Sequence, residues 1–279
     1  HETHGVEVKI AVWTERDQAP SARDAAARAL ECFIAALDAA IPQTPGAEAS
    51  ADAQEFPPDL ITLGEWWREK SGGAYDPDAL PLYRLWNEEL ARGRLPTSKE
   101  LSQARNRNAP VDKRGYGIVA IGWAADASAS PLSQAGFSNY LIAAGGCEVV
   151  SGARGGKPWR IAISDPSGSG FLAFGSPPPG ASMRLYREDA PHRVEGIEGV
   201  AMLDPRTGRP AQELAVVVVF APRAADAAAL ASAIAVLGAQ IGLRLADSLP
   251  DMEAIAVDAQ AHVRTSDDLA IVGRRLSWL

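Results

Sequence analysis

Val6, Val8, Ile10 and Val12 alternate with polar Glu7 and Lys9, a period of two that predicts a half-buried strand near the N-terminus. The period then lengthens. Leu30, Phe33, Ile34 and Leu37 recur at i, i+3, i+4 and i+7, one face of a helix, with Ser21 or Asp24 placed to cap its start. Residues 41–58, rich in Pro, Ala and small polar residues, read as a long exposed loop. A second helix is expected from Leu60 to Lys70, carrying Trp66 and Trp67 and stopping at the glycines of S-G-G-A-Y-D-P. P-L-Y-R-L-W (81–86) is a further short apolar element, and the polar, basic residues 91–116 read as a solvated connection with a short helix.

Strand signals dominate the second half. Y-L-I-A-A-G-G (140–146), W-R-I-A-I-S-D-P (159–166), F-L-A-F-G (171–175) and M-R-L-Y-R (183–187) are short runs bounded by Gly, Pro and Ser. A-V-V-V-V-F (215–220) is apolar on both faces, the pattern of a strand covered on two sides. An alanine-rich helix follows and should end at Gly238, with a second helix at I-G-L-R-L-A-D (241–247) and a strand at A-I-A-V-D (254–258). Strands and helices alternate without a βαβ rhythm, no repeat recurs, and no linker divides the chain. The expectation is one α+β domain over residues 1–279, with mixed, mostly antiparallel sheets and flanking helices.

A chain of 279 residues with 47% hydrophobic and 22% charged content is long enough for a substantial core. Its net charge of −8 argues against nucleic acid or an anionic membrane as the main partner, since each selects a basic face. Cys32 and Cys147 make neither a disulfide framework nor a metal cluster; they read as two unrelated buried thiols, with pairing open if the fold brings them together. The sequence shows no unbroken apolar run near the ~20 residues a membrane span needs. It opens at His1 rather than methionine, which leads to the expectation of a removed leader.

By spacing alone few residues point to catalysis. His1, His4, His192 and His262 are scattered, and G-A-R-G-G-K (152–157) lacks the Ser or Thr of a phosphate-binding loop and reads as a hairpin turn. The acidic pairs Glu88–Glu89 and Asp267–Asp268 read as solvated faces. D-P-R-T-G (204–208) has the chemistry of a tight turn, with Asp accepting backbone bonds, Pro presetting φ and Gly supplying a left-handed position.

Four blocks in order change the picture: G-G-A-Y-D-P-D-A-L-P-L-Y-R-L-W (72–86), G-I-V-A-I-G-W-A-A-D (117–126), A-A-G-G-C-E-V-V-S-G-A-R-G-G-K-P-W-R-I-A-I-S-D-P (143–166), and A-M-L-D-P-R-T-G-R-P (201–210) with the strand and helix after it. Together they resemble the FAD:protein FMN transferase, or ApbE, family from about residue 5 to 265. The resemblance implies an exported, often lipid-anchored protein that binds FAD and Mg²⁺. It implies transfer of the FMN half to a Thr or Ser hydroxyl of a target flavoprotein or redox-complex subunit, with release of AMP. The flavin-binding positions it implies are Ala74, Tyr75, Asp76, Ile121 and Ala201. The 72–76, 117–126 and 201–209 segments are expected to converge on one cleft, and no catalytic residue is assigned.

This chain departs from the pattern at several of those positions. Ile121 replaces a lysine, Ala201 a histidine, Ala143 an asparagine, and Gly115 and Cys147 acids, while His4-Gly5-Val6 stands for the N-terminal M-G-T. The serine-rich segment after the first helix has no counterpart in residues 41–58. The family's metal ligands, an Asp and a Thr four apart on one helix, fall on Ala228 and Ser232. The nearest acid, Asp226, is six residues before Ser232, ~240° around a regular helix, and is expected to cap that helix. Asp226 and Ser232 are the candidate metal residues. Losing charge-assisted contacts worth roughly 1.5–3 kcal/mol each at Ile121 and Ala201 predicts weak or absent FAD and impaired transfer. The alternative is a non-catalytic flavin-binding or protein-interaction module on the same fold.

Overall fold

The computed structural model describes residues 1–41, 57–105, 117–166, 170–178, 181–187, 202–211 and 214–278. In chain order, β1 (Glu2–Thr3) and β2 (Val6–Val12) precede helices α1 (Ala19–Ala40), α2 (Pro58–Lys70), α3 (Leu80–Ala91), α4 (Ser98–Ala104) and α5 (Gly117–Gln134). Strands β3 (Tyr140–Ala144), β4 (Cys147–Ser151), β5 (Ala153–Arg154), β6 (Lys157–Pro158), β7 (Ile161–Ser164), β8 (Phe171–Gly175) and β9 (Ser182–Arg187) come next. The hairpin β10 (Leu203–Asp204) and β11 (Arg209–Pro210) leads into β12 (Leu214–Ala221) and helix α6 (Ala224–Asp247). The chain closes with β13 (Glu253–Asp258), β14 (Val263–Thr265), β15 (Leu269–Val272) and β16 (Arg275–Trp278).

Among the described residues, eight strands form one antiparallel sheet in the order β1-β2-β3-β4-β9-β12-β13-β14, and four form a second sheet in the order β15-β16-β8-β7. The fold is the expected α+β, mostly antiparallel; the exception is the parallel contact of β16 with β8. Central strand β12 shows why. Val216, Val218 and Phe220 pack with Ile161, Ile163, Ile255 and Val257 between the two sheets, while Val217, Val219 and Ala221 join the core beneath α1, α5 and α6. A strand with both faces apolar therefore sits between two layers, as its sequence predicts.

Small side chains set the helix layer. The alanines from Ala224 to Ala235 are buried along α6, and the absence of bulk lets backbones approach closely. At the α5–α6 crossing a Cβ on Gly122 would lie 2.6 Å from the Ala224 carbonyl oxygen, so only glycine fits. Gly238, at φ 75 and ψ 169, interrupts α6 where the sequence predicts a stop, but the helix resumes directly. Among the described residues α6 is the helix with the length and apolarity of a membrane span, and it is mostly buried in this core. G-A-R-G-G-K is the expected hairpin, with Gly155 and Gly156 between β5 and β6.

Three expectations need correction. Cys32 and Cys147 are both free thiols, but Cys147 alone of the two is buried and Cys32 is half-buried. Helix α1 starts at Ala19 with Pro20 in its first turn and no side-chain cap, so neither Ser21 nor Asp24 caps it. Glu89 is not on a solvated face: it is 1% exposed, held by Arg92 Nη1 at 2.5 Å and Arg94 Nε at 2.5 Å, because the chain after α3 curls back over it. The short helix expected within 91–116 is present as α4, which begins with a complete capping box, Thr97 with Glu100, and buries Leu101; residues 106–116 lie outside the described part.

Candidate functional site

The D-P-R-T-G turn joins β10 to β11. The Asp204 carbonyl accepts from the Thr207 and Gly208 amides at 3.2 and 2.7 Å, and Gly208 takes φ 74. A Cβ at Gly208 would meet Leu82 at 3.0 Å and Leu101 at 3.2 Å, so glycine answers both the conformation and the space. Helix α3 fastens the turn from outside: Trp86 Nε1 donates to the Gly208 carbonyl at 2.7 Å, and the Tyr83 hydroxyl accepts from the Leu203 amide at 3.1 Å. Burial pushes the Tyr83 hydroxyl up to about 12, so it remains a neutral anchor. Leu80, Leu82, Leu101 and Leu203 form a small separate core under this corner.

The turn's purpose shows in its side chains. Asp204 Oδ1 accepts from the Arg206 amide and from Arg206 Nε, both at 2.9 Å, and Oδ2 accepts from Nη2 at 3.0 Å. This fork–fork grip holds Arg206 above its usual pKa and fixes its direction. Its stem lies over Gly73, with Cγ 3.5 Å from where a Cβ would stand.

Gly73 belongs to the opposite wall. Ser71 Oγ accepts from the Tyr75 amide at 3.0 Å, turning the chain sharply after α2. Ala74 and Tyr75 point into the main core, 2% and 6% exposed. Asp76 Oδ1 accepts from the Asp78 amide at 3.0 Å, and Arg68 Nη1 lies 3.1 Å from Asp78 Oδ2 and 3.9 Å from Asp76 Oδ1. Between the walls is a cleft of about 600 Å³. Arg68, Gly72, Gly73 and Asp76, with Glu65 and Glu69, line one side, and Pro205 and Arg206 line the other.

Of the candidate flavin positions, Asp76 lines this cleft, while Ala74 and Tyr75 are packed behind it. Ile121 is 6% exposed and packs on Gly145, with Cδ1 3.2 Å from a Cβ position there. Ala201 lies outside the described residues. The 72–76 and 204–206 segments thus meet, whereas 117–126 does not line the cleft and reaches α2 through Trp123 Nε1, which donates to Asp59 Oδ2 at 2.8 Å. Arg68 and Arg206 are the site residues the sequence reading missed. Arg206 lies inside D-P-R-T-G; Arg68 carries no local sequence signal.

The second candidate region is the start of α6. Its first amides are capped from another helix: Asp126 Oδ1 accepts from the Ala224 amide at 2.8 Å and Oδ2 from the Ala225 amide at 3.0 Å. Asp226 is not the cap. It is buried, accepting from Trp67 Nε1 at 2.8 Å, from Arg223 Nε at 2.6 Å and from Arg223 Nη2 at 3.1 Å. Ser232 Oγ is turned back onto the Ala228 carbonyl at 2.9 Å. Asp226 and Ser232 are therefore committed to different partners. Among the described residues, no group of three His, Cys, Asp or Glu is spaced to hold a metal. The donors present do not fit the Mg²⁺ ion that the resemblance implies, because one position supplies a methyl group and the neighbouring acid is already neutralised.

A sequence model of the ApbE family matches residues 4–256, nearly the whole chain. The chain belongs to the ApbE family. It is similar to the FAD:protein FMN transferase of Treponema pallidum, 28% identical over 247 residues covering 74% of this chain and 67% of that protein. It is also similar to the FAD:protein FMN transferase of Klebsiella pneumoniae, 29% identical over 64% of this chain and 59% of that protein. The match to the Rhodobacter capsulatus FAD:protein FMN transferase covers 81% of this chain and 46% of that protein, so the chain spans between about half and two thirds of these relatives. In fold it is similar to the flavin transferase ApbE from Vibrio cholerae (TM-score 0.74, 20% identical, 95% of this chain and 94% of that one). It is equally similar to the ApbE protein of Thermotoga maritima (TM-score 0.74, 22% identical, 96% of each chain). Within this fold two of the four sequence blocks, through 72–76 and 204–206, face each other across the cleft.

Proposed function

We propose that this protein binds FAD at the cleft between the end of α2 and the D-P-R-T-G turn. There it transfers the FMN half to a Thr or Ser hydroxyl of a target flavoprotein or redox-complex subunit, with turnover slowed by its substituted positions. The observation that carries this reading is the clamped Arg206 over Gly73 on a chain of the ApbE family. Arg206 spends Nε–H and one Nη2–H on Asp204, and a guanidinium has five N–H donors, so others remain for an anion. A phosphoryl transfer of this kind forms a bond from the acceptor hydroxyl oxygen to the FMN phosphorus and breaks the bond to AMP, and the hydroxyl proton is released. Catalysis is then positioning and charge neutralisation at the pyrophosphate, which a fixed guanidinium supplies. The site lies outside the cytoplasm in this reading, the compartment expected of the family.

The same geometry argues for slow turnover. Ile121 is buried and carries no charge, Ala228 offers no oxygen, and Asp226 is consumed by Arg223. The non-catalytic alternative rests on these same three facts and differs in predicting binding without transfer. An equilibrium titration of FAD fluorescence tests the site. Wild type should bind weakly, and Arg206→Ala should lose a further one to two decades, from a charge-assisted bond worth about 1.5–3 kcal/mol. Equal affinity in both proteins would place the flavin elsewhere.

A further inference from the structure

We propose that Arg223 is a resident counter-cation that takes the place of a divalent metal ion at the start of α6, so that this chain holds the buried Asp226 carboxylate without Mg²⁺. The Asp226 side chain is 6% exposed, and a buried carboxylate needs a cation or several donors in place of water. Arg223, three residues earlier, supplies both: Nε reaches Oδ2 at 2.6 Å and Nη2 reaches Oδ1 at 3.1 Å, with Trp67 Nε1 as a third donor at 2.8 Å. Both oxygens of Asp126 are spent on the Ala224 and Ala225 amides, and Asp126 lies within the field of Arg223 and of Asp226. Asp59, on α2, also feels the Arg223 charge while accepting from Trp123. One guanidinium therefore pairs with Asp226 and feels the charge of two further carboxylates carried by two other helices.

A Mg²⁺ ion requires short, near-octahedral oxygen contacts, and every Asp226 oxygen is already facing an N–H hydrogen. Admitting the ion means expelling Arg223, whose side chain is 59% exposed and so has a path to solvent. Guanidinium and metal thus compete for one carboxylate. The inference takes the divalent ion out of the transferase reading of this family member, and it is tested without flavin, so the two fail separately.

The experiment is thermal unfolding of the full chain with excess MgCl2 and with EDTA, for wild type and Arg223→Met. Wild type should melt at the same temperature in both. Arg223→Met should melt several degrees lower in EDTA and recover part of the loss in MgCl2, because the Asp226 carboxylate it uncovers then accepts the ion. A role in packing alone would give the drop without the recovery, and that result overturns the proposal. So does a wild-type melting temperature raised by Mg²⁺. If Arg223→Met does not fold, Mn²⁺ titration of wild type followed by EPR decides: no stoichiometric binding is expected, and one bound ion per chain overturns it.

Discussion

Asp126, near the middle of α5, closes the N-terminus of α6 by receiving the Ala224 amide at 2.8 Å, across 98 residues of chain. Burial pushes this carboxyl up to about 6, against the pull of the two amides it accepts. The folded state therefore holds the proton more tightly than the unfolded chain, where the value is the ordinary 3.8. Stability from this group is full below the lower value and is lost as pH rises through the higher one. Urea midpoints should fall over that window in wild type and fall less in Asp126→Asn. Asp126→Ala should cost roughly 1–2 kcal/mol at neutral pH, through loss of the cap.

Gly122 makes that cap possible by letting α5 and α6 touch. The nearest atoms to an added Cβ are backbone, at 2.6 to 2.8 Å, and cannot swing aside as a side chain would. Gly122→Ala is expected to destabilise by about 1–3 kcal/mol despite the better helix propensity of alanine. Denaturant midpoints check this. A more stable variant would mean that the crossing has slack.

Glu89→Gln separates a buried acid from a surface one. The carboxylate binds Arg92 and Arg94, which are 60% and 47% exposed, so both arginines regain water when it is removed. The expected loss is about 1–2 kcal/mol, read as a melting temperature a few degrees lower. No change would show that Glu89 is held by shape alone.

These residues also mark what the sequence could tell. Strand β12 was legible because both of its faces are apolar, and the break in α6 was legible because Gly238 closes an alanine-rich apolar run. D-P-R-T-G and Asp76 were legible as motif positions. The cap by Asp126 was not, since its partners lie on a helix far away in sequence and Asp226 offered a nearer candidate. The burial of Glu89 was equally hidden, because it depends on Arg92 and Arg94 folding back after α3. Arg68 became visible only once the last turn of α2 met Asp76 and Asp78. Local pattern reports faces and turns; it does not report which charges a tertiary fold brings together.

The proposed FMN transfer stands or falls with the Arg206 cleft. The most direct measurement is mass spectrometry of a threonine-containing acceptor peptide incubated with FAD, MgCl2 and the full chain, with AMP release followed in parallel. A slow gain of one FMN per peptide matched by AMP is expected, falling at least about tenfold in Arg206→Ala, the share of one charge-assisted bond. No mass gain on prolonged incubation, or transfer unchanged in Arg206→Ala, would contradict it.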